Sequence, residues 1–240
     1  MTVEDSAAEL REKKRVLAAL VVHDLRSPLA AAVGYIHLLR DELSEVTPAA
    51  RSYLDDTEVL LGKALGLVAT ILDVDELEDG MLRAQLAPVK LVELIEGARA
   101  GNLAHFEVRQ LRCDVAVDPE LVVMLDRDLF GRVIENMLDN ATRYAPRGGR
   151  CGISARRNAD GTVEIAIGNS GPPVPVAERE QIFGRYFQVE RRRASARANR
   201  GLGLYFCKLA VEAHGGTIHV EERGDLGAVF VAELPARAVT

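Results

Sequence analysis

Two apolar stripes at helical spacing, both before residue 80, constrain this chain more than any other feature. Val22, Leu25, Leu29, Ala32, Ile36, Leu39 and Leu43 alternate steps of three and four, the seam of a helix packed along another helix. Leu54, Thr57, Leu61, Ala64, Val68 and Ile71 give a second such stripe. Ser44-Glu45-Val46-Thr47-Pro48 interrupts the two patterns. The spacing therefore predicts two helices joined as a hairpin, the second running from about Ala49 to Glu78. A lone hairpin cannot bury both stripes, so a second copy completing a four-helix bundle is expected. Asp79-Gly80 stops the second helix, with Gly80 as its cap.

The texture changes near residue 80. Short β-like runs follow at Cys113–Val117, Leu121–Leu125, Arg150–Arg156, Thr162–Gly168, Thr217–Glu221 and Ala228–Leu234. Helical patterns fit Leu91–Ala98, Asp128–Arg143 and Leu202–Ala213. Asn158-Ala159-Asp160-Gly161 reads as a hairpin turn. The expected fold is α+β in two domains: a helical hairpin over residues 1–80, then an α/β sandwich over 81–240 with helices on one face of a mixed sheet.

The net charge of −6 argues against nucleic acid as the main partner. Cys113, Cys151 and Cys207 are odd in number and lack CxxC spacing, which suits reduced packing residues in a cytoplasmic protein. No apolar run reaches membrane-spanning length and no signal peptide follows Met1.

Within the first stripe stands His23-Asp24-Leu25-Arg26-Ser27-Pro28-Leu29. On that heptad His23 falls one position past the seam, so its ring points toward water. Ser27 lies one turn on along the same face. Pro28 removes a backbone donor and is expected to bend the helix just after the histidine. The arrangement suits a nucleophilic imidazole offered to a large partner, or an ordinary surface histidine on a bundle helix. His37, fourteen residues on, is roughly 21 Å away along the helix, too far to share a transferred group, and is assigned to solvent or the partner surface. His105, His214 and His219 read as structural.

Four segments of the second half suit a phosphate-bearing ligand. Asn136, Asn140 and Arg143 lie at i, i+4 and i+7 on one helical face, followed by Tyr144. Asparagine oxygens are hard ligands suited to Mg²⁺, and arginine meets phosphate with a planar fork; a plain polar stripe gives the same pattern. Asn169-Ser170-Gly171-Pro172-Pro173 ends a strand. There a side-chain amide can read a base edge and Gly171 permits close backbone approach, although an ordinary turn fits equally well. Gln181–Phe187, with Arg185, is an aromatic cluster suited to packing under a loop. Gly201, Leu202, Gly203 and Leu204 open a helix whose first N–H groups form an anion site. The segment 190–199, with Arg191, Arg192, Arg193 and Arg197, reads as a lid over phosphates or as a solvated basic loop.

In this order and spacing the segments resemble the sensor histidine kinases of two-component signalling, over residues from about 10 to 236. His23–Leu29 resembles the phosphoacceptor box of that family, Glu135–Tyr144 its asparagine box, Asn169–Pro173 its first glycine box, Ile182–Phe187 its phenylalanine box, and Gly201–Leu204 its second glycine box. The resemblance implies a dimeric bundle and an ATP-binding domain. It also implies autophosphorylation of His23 with Asp24 as base or orienting group, and Mg²⁺ on Asn140 and Asn136. The phosphoryl group would pass to an aspartate of a response-regulator receiver domain, under the control of an upstream sensor protein or domain. Kinases of this family also use the position of Ser27 to orient water for dephosphorylating the regulator. Departures are Asn169 where the family has aspartate, Pro173 where it has glycine, and Asn199 where a further glycine is usual. An asparagine oxygen at 169 is expected to accept from the adenine amino group, more weakly than a carboxylate. The alternative is a degenerate kinase acting as a nucleotide-binding or scaffold regulator.

Overall fold

The computed structural model describes residue 22 and residues 25–41, 47–185, 187 and 202–237. The chain divides into two compact units, Met1–Asp79 and Gly80–Thr240.

The first unit is a helical hairpin. Helix α1 is described over residues 25–41, and residue 22 is also helical. Helix α2, Pro48–Glu78, starts where the sequence supplies a cap: Thr47 Oγ1 accepts the Ala50 N–H at 3.2 Å, and Pro48 occupies a first-turn position that needs no donor. It ends at Asp79, with Gly80 at φ 66°, where glycine carries no Cβ penalty. The two helices are tied by Arg40 to Asp55 at 2.6 Å and to Glu58 at 2.8 Å, and by His37 to Glu58 at 2.9 Å. His37 thus engages α2 as well as facing solvent. These exposed pairs fix register more than stability, because water screens them. Leu25, Leu38, Leu39, Val59, Leu60 and Leu67 stay exposed in the single chain, an apolar surface that two helices are too few to cover.

The second unit is an α/β sandwich. In chain order it contains β1 (Ala87–Lys90), α3 (Leu91–Gly101), α4 (Leu103–Arg109), β2 (Arg112–Val117), β3 (Val122–Leu125), α5 (Arg127–Tyr144), β4 (Arg150–Arg157) and β5 (Val163–Asn169). Two single 3-10 turns follow, Val176–Glu178 and Gln181–Phe183, then α6 (Gly203–Ala213), β6 (Thr217–Arg223) and β7 (Leu226–Leu234). The main sheet has the order β2-β4-β5-β7-β6. β2 and β4 are parallel and the other pairs antiparallel, so the sheet is mixed. The Leu121–Leu125 run forms no part of it. As β3 it pairs antiparallel with β1 in a separate ribbon. The sequence reading missed β1 because Pro88 cannot donate to a ladder and disguises a short edge strand.

β5 is buried along its whole length. Side chains alternate between faces, so Ile165, Ile167 and Asn169 share one face with their partners Ala232, Phe230 and Ala228 on β7. That face meets the helices: Phe230 packs edge-on against Phe183, with ring centroids 6.3 Å apart. The opposite face buries Ala166, Val229 and Val231, with Leu226 packed against them. Glu164 lies on that face too and is itself buried. It takes Arg223 Nη1 and Nη2 at 2.7 and 3.1 Å, and Arg156 Nη2 at 3.0 Å. Gly152 and Gly168 belong there: a Cβ on Gly168 would stand 2.7 Å from Val229 Cγ2, and one on Gly152 2.9 Å from Leu226 Cδ1.

Candidate functional site

Helix α5 is the platform. Leu129, Phe130, Val133, Ile134, Met137, Leu138, Ala141 and Thr142 bury one side of it, which leaves the stripe of Asn136, Asn140 and Arg143 half-buried on another. Its start is fixed by Asp126, whose Oδ1 accepts the N–H groups of Asp128 and Leu129, both at 3.1 Å. Asp126 Oδ2 takes the Gln85 N–H at 2.9 Å. Its own backbone N–H is donated to His214 Nε2 at 2.9 Å. His214 is buried just past α6, with Nδ1 at 2.7 Å from the Ala210 carbonyl and its ring edge-on to Phe130. Since Nε2 must accept from the Asp126 N–H, Nδ1 carries the proton and the imidazole is neutral. Burial holds its pKa below the ordinary value.

The far end of α5 is held from another element. Arg109, the last residue of α4, donates Nη1 to the Arg143 carbonyl at 2.6 Å and Nη2 to the Ala145 carbonyl at 2.7 Å. These acceptors would otherwise lack partners at a helix end. Asp126 and Arg109 were both missed in the sequence. Asp126 had a readable signal, an aspartate directly before an apolar-periodic helix; Arg109 had none, lying 34 residues from its first partner.

Two loop-derived segments converge on α5. Asn136 turns its amide nitrogen back to the Arg132 carbonyl at 2.8 Å. Its Oδ1 lies at the start of α6, where a Cβ on Gly203 would come within 2.7 Å of it. A side chain at 203 would therefore push the Asn136 amide from this position. Arg132 stacks over the Phe206 ring at 4.5 Å, and Cys207 Sγ lies 3.7 Å from the Val133 carbonyl, so α6 is held against α5 along its first two turns. The residue before α6, Leu202, is buried and provides no side-chain cap; Leu204 is half-buried. At the other end, a Cβ on Gly171 would sit 2.3 Å from the Tyr144 carbonyl. The turn after β5 thus rests on the last residue of α5.

Asn169 closes β5 with no exposure. Its Oδ1 accepts the Gly171 N–H at 2.8 Å. The oxygen expected to read a base is turned to the backbone, and the Nδ2 donor is left without a hydrogen-bond partner. Arg143 is ion-paired with Asp139 at 2.7 Å in this structure, one turn back on its own helix. Arg185 is exposed after the second 3-10 turn. Ser27 is exposed on α1. His23, Asp24, Gly201 and the arginines of 190–199 lie outside the described residues. Of the candidates, the structure brings together Asn136, Gly203, Tyr144, Asn169 and Gly171 along one helix, with Asn140 on the intervening turn.

The His Kinase A (phospho-acceptor) domain family matches residues 13–80. The histidine kinase-, DNA gyrase B- and HSP90-like ATPase family matches residues 125–238. The signal transduction histidine-protein kinase BaeS of Escherichia coli (strain K12) is 31% identical over 225 residues, covering 94% of this chain and 47% of the relative. The adaptive-response sensory kinase SasA of Synechococcus sp. (strain JA-3-3Ab) is 31% identical over 241 residues, covering 98% and 63%. The chain thus spans about half the length of such curated relatives. Among solved structures, full-length ShkA in complex with AMPPNP shares the fold at TM-score 0.72 and 24% identity, over 93% of this chain and 46% of that one. The mycobacterial sensor histidine kinase MprB matches at TM-score 0.54 and 30% identity, over 63% and 98%. With a phosphoacceptor-type hairpin domain, an ATPase-type sandwich domain and these relatives, the chain belongs to the sensor histidine kinases of two-component signalling.

Proposed function

We propose that the chain is an ATP-dependent protein-histidine kinase that phosphorylates itself on His23. The observation that carries the reading is the convergence on α5: the uncapped start of α6 meets Asn136, and the turn after β5 meets Tyr144. Eight residues of helix, roughly 12 Å, separate these points. That spacing suits a nucleoside triphosphate with its phosphates at the α6 N–H groups and its purine beside Asn169. ShkA, which shares the fold, was crystallised with a nucleotide analogue.

The residues fit Mg²⁺ as the accompanying ion. The amide nitrogen of Asn136 is committed to its own helix, which leaves the hard carbonyl oxygen for a cation. Asn140, one turn on along the same stripe, would share the ion with Asn136. The ion supplies charge neutralisation on the phosphates when bound. The N–H groups of Gly203 and Leu204 orient the phosphate chain. A ring nitrogen of His23 then forms the N–P bond as the bond from γ-phosphorus to the bridging oxygen breaks and ADP leaves. Asp24 takes the imidazole proton or holds the ring so that the attacking nitrogen keeps its lone pair. Positioning and charge supply most of the acceleration.

The phosphoryl group passes on to an aspartate of a response-regulator receiver domain, and Ser27 orients the water that, in a weaker phosphatase reaction, hydrolyses that aspartyl phosphate to the free carboxylate and inorganic phosphate. The exposed stripes of α1 and α2 pair with a second copy in a four-helix bundle. An upstream sensor protein or domain controls the reaction. We assign the two domains to the cytoplasm, where ATP is available. No helix among the described residues is long and apolar enough to cross a membrane.

Incubation with γ-labelled ATP and Mg²⁺ tests the proposal. An acid-labile, base-stable label that His23→Ala removes, with nucleotide binding intact, is the expected result. Nucleotide binding without any label would point to the degenerate-kinase alternative, and a normally labelled His23→Ala would show that another residue is the acceptor.

A further inference from the structure

The amide of Asn169 is held one way round. Its oxygen accepts the Gly171 N–H at 2.8 Å. Reversing the amide would set its NH₂ against that N–H, donor against donor. The side chain is fully buried at the end of the central strand, on the sheet face that meets the helices. Nδ2 is therefore a fixed donor with no hydrogen-bond partner. Buried donors are almost always paired, so an orphan of this kind marks a place where something else completes it.

We infer that Asn169 makes the base end of the site complementary to a 6-oxopurine, so that the chain binds inosine or guanosine nucleotides at least as readily as adenosine nucleotides. The inference rests on the nucleotide reading above. Adenine carries an amino group at position 6, a donor that would face the Nδ2 donor. Hypoxanthine and guanine carry a carbonyl oxygen there, which accepts from it. An aspartate in the same place would keep one oxygen on the Gly171 N–H and present the other as an acceptor, the arrangement that selects adenine. One atom in the side chain, nitrogen for oxygen, thus inverts the polarity that the pocket offers to the base. The Gly171 turn prevents the inversion from being undone by rotation.

The test is calorimetric titration of the full chain with ADP and with IDP, in Mg²⁺. Hypoxanthine differs from adenine only at position 6 and in the proton on N1, so the ratio of the two dissociation constants isolates the contact. Wild type should bind IDP at least as tightly as ADP. Asn169→Asp should move the ratio about tenfold or more toward ADP, the cost of a mispaired buried group. A wild-type preference for ADP over IDP would overturn the inference alone. It would mean that water satisfies Nδ2 and the base is read elsewhere. An unchanged ratio in a folded Asn169→Asp chain would also overturn it. Binding of neither nucleotide by wild type would overturn the nucleotide reading and the inference with it. The wild-type ratio is decisive even if the aspartate variant does not fold.

Discussion

His214 Nε2 accepts the backbone N–H of Asp126 at 2.9 Å, which joins the end of α6 to the cap of α5 across 88 residues of sequence. The imidazole must be neutral to accept, and burial lowers its pKa. As pH falls, the unfolded chain binds this proton before the folded chain does. The stabilisation is therefore whole above about pH 6.5 and is lost as pH falls from there toward the folded value. Denaturant unfolding at pH 7.5 and 5.5 should show a wild-type loss that His214→Phe lacks. That variant should also be less stable at pH 7.5 by about 1–3 kcal/mol, because the Asp126 N–H loses its acceptor. An identical pH slope in both proteins would sink this account.

Glu164 is a buried carboxylate between two guanidinium groups. Hydrogen bonds from Arg223 are the main reason that its pKa is lowered, and burial opposes them. Its stabilising contribution is present above the ordinary carboxylate pKa, about 4.3, and is lost as pH falls below it. Glu164→Gln should cost about 1–2 kcal/mol at neutral pH. Solvent screening at exposed Arg156 keeps the figure below that of a fully buried pair. Thermal melting that leaves the variant unchanged would show that the end of β6 does not depend on this pairing.

Asn140 should matter only when the metal is present. Asn140→Ala should slow labelling from ATP by about a hundredfold or more, because several kcal/mol of metal-assisted charge stabilisation are lost. Its affinity for ADP should match wild type in chelator and fall behind it in Mg²⁺. A variant whose affinity rises with Mg²⁺ as much as wild type's would remove Asn140 from the metal site.

Assembly should depend on the stripes that the hairpin leaves uncovered. Leu39→Glu or Leu60→Glu, at residues exposed in the single chain, should convert a dimer to monomer, because a charge buried without a partner in the bundle is costly. Light scattering at micromolar concentration is the measurement. A wild-type chain that is monodisperse and monomeric there would refute the bundle.

Much of this was legible because local chemistry and tertiary packing agree. Thr47-Pro48 and Gly80 bound α2 in the structure as they do in the sequence. The 3.6-residue period of α5 survives because one side is buried and the asparagine stripe is not. Other parts were not legible for physical reasons. α4 spans seven residues, with Leu103 and Val108 exposed, so it has no stripe to find. The orientation of the Asn169 amide depends on an N–H that only the Gly171 turn brings into reach. Arg143 looked free to meet phosphate until Asp139, one turn away, proved to hold it.

The grip of Arg109 on the last carbonyls of α5 bears on how this domain can be cut out and produced by itself. The ATPase-type family match begins at residue 125. A fragment starting there would retain α5 and most of the sheet. It would lose the guanidinium that finishes the helix, the Gln85 N–H on Asp126, nearly all of the β1–β3 ribbon and the parallel neighbour of β4. Truncation at Gly80 keeps all four, so the compact unit begins 45 residues before the piece that family likeness outlines.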